Sequence, residues 1–252
     1  MLIAPLALSY MLSTAPVNYD LRVVFTGMIP ILGGNDGTAE VQLGVQVQGL
    51  APKDGQSRAT SELTRAKIIF NGGALPLTLD NVKDYFPKTT VEFTPLGKIT
   101  KSDAPDIELP VRLPGLDIKR FPDITYLPVE FPAVGPELDQ SWKFEKSFAG
   151  SPVTYQCRLE KVDEATATVS LSVEQTYTVL EDAAMQVVHD KADAENEVTT
   201  TMKASGEAVF DRRGWVIRFK MTGRAQSVVK PVTGGATSDR QLAISVECNK
   251  AK

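Results

Sequence analysis

Apolar and polar residues alternate along most of the chain, the pattern of β-strands with one buried and one solvent-facing side. The longest example covers residues 195–228. It predicts two antiparallel strands joined at Asp211-Arg212-Arg213-Gly214, because glycine accepts the backbone conformation of a tight hairpin turn. The inward side is predicted to carry Val198, Met202, Ala204, Gly206, Ala208, Phe210, Trp215, Ile217, Phe219, Met221 and Ala225.

The same alternation predicts further strands over residues 19–25, 38–50, 57–70, 140–148, 153–162, 165–179 and 242–248. In the third strand the apolar positions change from odd to even numbers, which predicts a β-bulge near Arg65. A short helix is predicted over residues 78–86, with Thr78 as its N-cap. Residues 180–194 interrupt the alternation, and both one or two helical turns and a mobile excursion fit them.

Several predicted strands are a dozen residues or longer, well above the usual length of about five or six. Long antiparallel strands twist and coil. The sequence therefore predicts an all-β fold with minor α content, in which a curled sheet forms a half-barrel or a sandwich. A hairpin over residues 91–100 places Phe93 and Gly97 at the spacing of Phe210 and Gly214. This repetition suggests two β-meander halves.

Proline divides the chain into segments. Residues 101–138 contain seven of the sixteen prolines, which remove backbone donors and favour extended structure. The apolar residues among them indicate a strap packed on the surface, and a proline-rich ligand segment is the alternative. The predicted organisation is an N-terminal β half over residues 16–100, the strap over 101–138 and a C-terminal β half over 139–252.

The first 15 residues resemble a secretory signal peptide. An apolar run, too short to span a bilayer, leads to the small residues Ser13-Thr14-Ala15. No basic residue precedes the run, and Pro16 would follow the cleavage site. A first strand therefore remains an alternative, as does a misplaced start codon. The favoured prediction is an extracytoplasmic protein, either periplasmic or secreted.

Charge and cysteine content narrow the function classes. The formal net charge is -4 and the basic residues are scattered, so the basic surface that nucleic-acid binding needs is not predicted. Trp215 and Phe219 share the inward face of their strand and are predicted to be core residues. Cys157 and Cys248 also lie at inward positions. The sequence leaves open whether they form a disulfide or stay as buried thiols.

The chemical candidates are weak. His189, the only histidine, precedes Asp190, yet no nucleophile in a suitable turn accompanies the pair. An acidic run could recruit calcium but lacks the order of ligands and the glycine of a dedicated loop: Asp182, Asp190, Asp193, Glu195 and Glu197. The predictions are therefore no catalytic residue, no metal site, no cofactor and no enzymatic activity.

Two weak resemblances add expectations. The segment LPVEFPAVGPELDQSW (residues 127–142) resembles the LP…G…SW segment of bacterial secreted β-rich proteins of unknown function, a family that implies no activity. In outline, a long curled sheet with F-x3-G hairpins behind a secretion signal is similar to envelope lipid-carrier half-barrels of the LolA/LppX type. That resemblance implies an apolar ligand.

Two functional hypotheses follow. The first is a structural or interaction domain of the cell envelope or the secreted fraction, with a packed core and a protein partner. The second is a binding or carrier protein that holds an apolar, lipid-like ligand in a curved β cavity. Small residues at inward positions fit both hypotheses, because they leave room for a ligand and also let strands approach closely. The contents of the curled sheet distinguish the two.

Overall fold

The structure, a computed structural model, describes residues 8–29, 35–76, 78–83, 86–105 and 112–251. Thirteen strands dominate it: β1 (Val17–Met28), β2 (Asp36–Lys53), β3 (Gln56–Phe70), β4 (Gly73–Ala74), β5 (Thr89–Phe93), β6 (Ile99–Ser102), β7 (Ser141–Phe148), β8 (Ser151–Val162), β9 (Thr166–Glu181), β10 (Val187–Val188), β11 (Asn196–Asp211), β12 (Val216–Pro231) and β13 (Ser238–Lys250). The helical parts are α1 (Leu79–Lys83) and a 3₁₀ segment (Ile118–Ile124).

All thirteen strands belong to one antiparallel sheet that does not close into a barrel. The main order is β6-β5-β3-β2-β1-β13-β12-β11-β9-β8-β7, while β4 pairs with β3 and β10 pairs with β9. The prediction of an all-β fold built on a curled sheet is confirmed; a single open sheet is observed, and in the described residues no second sheet forms a sandwich with it. The first and last strands pair with each other, so β1 and β13 join the two predicted halves at the middle of the sheet.

The predicted long hairpin is confirmed as β11 and β12. The strands pair from Asn196 opposite Pro231 to Phe210 opposite Val216, and the register shifts once between Val209 and Phe210. Because of this shift, Val216 is fully buried. Ile217 is only partly buried, so its predicted place in the core is wrong. Trp215 and Phe219 are both 2% exposed, as predicted for core residues.

The predicted bulge is also confirmed. The pairing of β2 with β3 moves from Gly44 opposite Arg65 to Val45 opposite Leu63, which leaves Thr64 as the extra residue. A Cβ atom on Gly44 would lie 2.7 Å from the Thr64 hydroxyl oxygen. Glycine on β2 therefore makes room for the bulge on the neighbouring strand.

The irregular parts differ from the predictions in detail. Thr78 caps α1, since its hydroxyl accepts a hydrogen bond from the Asn81 amide, but the described helix ends at Lys83 and residues 84 and 85 lie outside the described part. Residues 180 and 181 still belong to β9, and residues 182–194 form turns around the two-residue strand β10, so the helical turns considered for this segment are wrong. Of the predicted strap, residues 106–111 lie outside the described part.

The sheet also predicts a sensitive position inside the long hairpin. Gly206 lies against the backbone of β12, where a Cβ atom would collide with the Lys220 carbonyl oxygen and lie 2.8 Å from the Met221 Cα. We expect Gly206→Ala to lower the free energy of unfolding by about 1–3 kcal/mol, because the two strands must move apart. Thermal unfolding followed by circular dichroism measures the change.

Gly73→Ala is the matched control, because its Cβ would meet only the Phe70 carbonyl oxygen, at 3.4 Å. It should leave the melting temperature nearly unchanged. Equal melting temperatures for the two variants would contradict the close approach of β11 and β12.

Candidate functional site

The apolar side of the sheet, called here the inner face, is covered by the chain's own irregular segments. The part of the predicted strap over residues 112–138, called the strap from this point on, runs along the inner face. It contributes five residues to a single core cluster with the sheet: Ile124, Tyr126, Leu127, Val129 and Phe131. Three of these side chains (Tyr126, Leu127 and Val129) are 0% exposed. The strap thus supplies the second layer that an open sheet needs to bury its apolar face.

A buried ion pair fastens the strap to the sheet. The Lys146 ammonium of β7 lies 2.5 Å from the Asp123 carboxylate of the strap, and both side chains are fully buried. Lys146 also donates to the carbonyls of Leu127 and Pro128, at 3.1 and 3.3 Å. The other oxygen of Asp123 accepts from Arg120 Nε at 2.5 Å. The ammonium and the carboxylate are therefore both compensated, which a buried charge requires.

Further hydrogen bonds hold the strap along its length. The Gly115 amide donates to the buried Gln175 side chain at 3.0 Å, and the Ala149 amide donates to Asp117 at 2.9 Å. The Trp142 indole donates to the Glu130 carbonyl at 2.8 Å. These contacts tie the strap to strands β7 and β9 and to the turn that follows β7. In the described residues, the strap is thus packed against the sheet at several points.

The ion pair predicts a coupled pair of substitutions. Asp123→Ala leaves the Lys146 ammonium buried without its carboxylate, and we expect a loss of about 3–5 kcal/mol in unfolding free energy. Adding Lys146→Met removes the stranded charge, so the double variant should lose less than the sum of the two single losses. Urea unfolding of the four proteins measures the coupling. Additive losses would show that the two charges do not interact.

Little free volume remains between the strap and the described inner face at the end of the sheet near Arg112. A small cavity of about 40 Å³ lies there, between Arg112, Tyr177 and the ion pair of Arg240 with Glu181. The Arg112 guanidinium stacks 3.9 Å from the centre of the Tyr177 ring. Ligand pockets usually measure about 300–1,000 Å³. This cavity has room for water and is too small for an acyl chain.

The chain's N-terminal segment is held between the tips of the two F-x3-G hairpins. Phe93 and Phe210, both 0% exposed, meet the Tyr10 ring edge-on at centroid distances of 6.3 and 6.1 Å. The glycines of both hairpins have positive φ, 98° for Gly97 and 78° for Gly214. The repeated spacing therefore marks two hairpins that both contact one ring. The duplication itself remains a prediction.

Polar contacts fix the same segment. The Tyr10 hydroxyl donates to the Val129 carbonyl of the strap at 2.8 Å, and burial raises the pKa of this phenol, which keeps its proton available for the bond. The Tyr10 amide donates to the Pro95 carbonyl at 2.8 Å and the Met11 amide to the Arg213 carbonyl at 3.0 Å. The predicted signal peptide thus includes a residue that packs in the core.

The opposite side of the sheet, called here the outer face, carries a groove. A row of short side chains runs across β9, β11, β12, β13 and β1: Ser172, Ser205, Thr222, Ser245 and Val24. Rows of longer, charged side chains flank it, including Glu174 beside Lys203 at 3.6 Å and Lys220 beside Glu247 at 3.1 Å. A hollow of about 800 Å³ follows this row. A second hollow, of about 930 Å³, adjoins it and shares Thr26, Lys203 and Arg224 with its lining.

The weak chemical candidates of the sequence stay apart from these features. His189 is exposed on the excursion next to β10. Two carboxylates of the acidic run cap local turns: Asp182 accepts from the Gln186 amide and Asp190 from the Ala192 amide, at 2.8 and 2.9 Å. Within the described ranges, no group of three or more His, Cys, Asp or Glu side chains is placed to hold a metal ion.

The two cysteines are separate buried thiols. Cys157 lies on β8 and Cys248 on β13, with β9, β11 and β12 between these strands. Burial raises the pKa of Cys157 to about 12, and that of Cys248 is also raised by burial. The disulfide that the sequence left open is therefore not formed, because the strands are not neighbours.

These thiols should be unreactive in the folded protein. The nucleophilic thiolate is scarce when burial raises the pKa of a cysteine. We expect Ellman's reagent at pH 8 to modify neither thiol of the native chain, and to modify two per chain in 6 M guanidinium chloride. Rapid reaction without denaturant would contradict the burial, and no reaction in guanidinium would indicate a disulfide.

Comparison with known proteins gives a likeness at the level of the fold. No family model matches the chain, and no curated protein matches it in sequence, so neither resemblance noted from the sequence is supported at the family level. The chain is similar to lipovitellin, in a solved structure described as showing lipid–protein interactions, with a TM-score of 0.51 and 8% identity. The match covers 96% of this chain and 25% of lipovitellin.

Within the described part of the chain, no helix has the length and hydropathy needed to cross a bilayer.

The sequence did not reveal the residues that fasten the strap and the N-terminal segment to the sheet. Lys146 and Asp123 were not singled out, although a lysine between Phe144 and Phe148 on an apolar strand is a signal for a buried cation. Lys146 lies at an even position like these two phenylalanines, so strand periodicity placed it on the inner face. The core position of Tyr10 was not predicted either, because this residue lies inside the apolar run of the predicted signal peptide.

Proposed function

We propose that the chain is a non-enzymatic interaction domain that acts in the cell envelope or after secretion. One observation carries the proposal: the chain's own strap covers the described inner face of the sheet, so the folded chain offers its surface to other molecules. The strap side chains are packed to near-zero exposure and are fastened by the buried pair of Asp123 and Lys146. A second layer packed this tightly and fastened by a buried ion pair is typical of a permanent hydrophobic core.

The outer groove is the surface that supports an interaction role. Its length spans five strands, and its flanks carry both signs of charge, as in the row Glu207, Lys220, Glu247 and Arg22. Such mixed flanks favour one orientation of a partner through charge complementarity. The floor of short hydroxyl side chains can accept or donate hydrogen bonds to that partner.

A place outside the cytoplasm is supported by the sequence of the first 15 residues, where an apolar run leads to Ser13-Thr14-Ala15. The absence of enzymatic chemistry in the proposal rests on the two deeply buried thiols and on His189 as an exposed loop residue.

A second function, the transport of an apolar ligand, is favoured by a separate observation. Lipovitellin, to which the fold is similar, has been described through its lipid–protein interactions. In this chain an irregular strap covers the apolar sheet where a second sheet could have stood. A ligand could take the place of the strap if the strap were released at Asp123.

Ligand content separates the two functions. We expect native mass spectrometry of gently purified protein to give the mass of the chain alone, because the cavity between the described strap and the inner face, about 40 Å³, is too small for an acyl chain. A fluorescent fatty acid should bind neither the wild-type protein nor Lys146→Met, in which the strap is weakened.

A co-purified lipid at one molecule per chain would overturn the interaction proposal and establish the carrier. Fatty-acid uptake that increases in Lys146→Met would do the same, because it would identify the strap as a lid. Lys161→Met serves as the control variant, since Lys161 is exposed and pairs with Asp163 at the surface.

A further inference from the structure

We propose that the slot between the two F-x3-G hairpin tips is a binding site for an extended peptide that carries a tyrosine. In the described chain, residues 8–13 occupy this slot themselves. A chain cut after Ala15 would present it empty to a partner. The proposal rests on the interaction role proposed above, and it adds to the outer groove a second binding place, with the chemistry of the peptide that it takes.

The backbone of the slot is built to admit another backbone. A Cβ atom on Gly97 would lie 2.5 Å from Tyr10 Cε2, and one on Gly214 would lie 2.9 Å from Tyr10 Cα. A Cβ on Gly49 of β2 would lie 2.6 Å from the carbonyl oxygens of both Leu12 and Ser13. Glycine therefore stands at three points along the path of the segment, on three separate parts of the sheet. Any side chain there would close the path.

The hydrogen bonds of the slot match a peptide. Two successive amides, those of Tyr10 and Met11, donate to the carbonyls of Pro95 and Arg213 on opposite hairpin tips. Further along, the Ser13 carbonyl accepts from the Gly49 amide at 3.0 Å. Main-chain donors and a main-chain acceptor of one segment thus pair with main-chain groups of the slot, which is how strand-like peptides are recognised. A simple acyl chain can satisfy none of these groups.

The deep end of the slot selects tyrosine. Phe93, Phe131 and Phe210 surround the Tyr10 ring at centroid distances of 5.3–6.3 Å. Beyond the ring, the Val129 carbonyl lies on a residue that is 0% exposed and accepts from the phenol. A phenylalanine would fill the apolar part but leave this acceptor unpaired.

The mouth of the slot can tolerate being empty. Pro95 and Arg213, which supply the two outer acceptors, are both exposed residues at the hairpin tips, so water can reach their carbonyls. Residues 14–16 are exposed as well, which leaves the predicted cleavage point accessible. The slot therefore combines a wet rim with an apolar end, as specific binding sites do.

The test uses the whole chain with a specific protease site introduced after Ala15. The folded protein is cut, and the synthetic peptide LSYMLSTA, which reproduces residues 8–15, is labelled and added. We expect the labelled peptide to exchange into the cut protein with saturable binding, measured by fluorescence anisotropy. The uncut protein, whose slot is occupied, should not bind it.

Variant peptides report on the recognition. Tyr10→Phe should weaken binding roughly three- to tenfold, through the single lost hydrogen bond. Tyr10→Ala should weaken it by about a hundredfold or more, because the aromatic end is left empty. Met11→Ala is the matched control and should bind like the parent, because the Met11 side chain is 62% exposed.

Three results would overturn the proposal: no exchange of peptide into folded, cut protein, equal affinity of the tyrosine and alanine peptides, or displacement of the peptide by a fatty acid at lower concentration than by the unlabelled peptide. If the cut protein unfolds, the melting temperature of the intact chain with Tyr10→Ala is measured instead. A melting temperature equal to that of the wild type would show that the slot does not recognise the ring.

Neither test depends on lipid content. The slot can fail to bind peptide while the purified protein is still free of lipid, and a lipid-loaded protein can still exchange the peptide. The failure of this inference is therefore distinguishable from the failure of the proposed interaction role.

Discussion

An open sheet with one apolar face must be covered, and this requirement shapes the rest of the molecule. Thirteen strands build the sheet, yet no second sheet packs on it within the described part of the chain. The cover is a proline-rich strap whose own backbone forms little regular structure. Its packing depends on side chains that reach zero exposure and on polar contacts at a few fixed points.

The buried pair of Lys146 and Asp123 is the most demanding of those points. Such a pair adds little stability compared with apolar residues of equal size, because both charges lose their hydration. It does restrict the arrangement, since a strap displaced by one residue would leave two uncompensated charges in the core. The fastening therefore defines the position of the strap more than it increases the stability of the fold. Apolar packing supplies most of the stability.

The sheet could be predicted from the sequence because strand periodicity is local. Alternation placed Trp215 and Phe219 in the core, and the phase slip near Arg65 located a real bulge at Thr64. Ile217 was misplaced because the register shift at Val209 and Phe210 arises from how two strands pair, which neither strand's own pattern contains. The order of the strands in the sheet could not be predicted for the same reason, because it also depends on which strands pair.

The candidate sites depend on contacts between residues far apart in the chain, so they could be predicted least. Tyr10 meets Val129 across 119 positions, and Lys146 meets Asp123 across a turn-rich segment without periodicity. The spacing of Phe93 with Gly97 and of Phe210 with Gly214 did carry a signal. It showed that two hairpins are alike, but not that they share one ring.

The pairing of β1 with β13 has a consequence for how the protein assembles. These strands are the first and the last that the structure describes, and nine residue pairs join them at the centre of the sheet. During synthesis, β1 through β6 emerge long before their central neighbour. Until β13 arrives, β1 is an unpaired edge with an apolar side, which is a hazard for aggregation. Contacts of such long sequence separation also form slowly. The sheet of such a chain is therefore completed only when its last strand has been made.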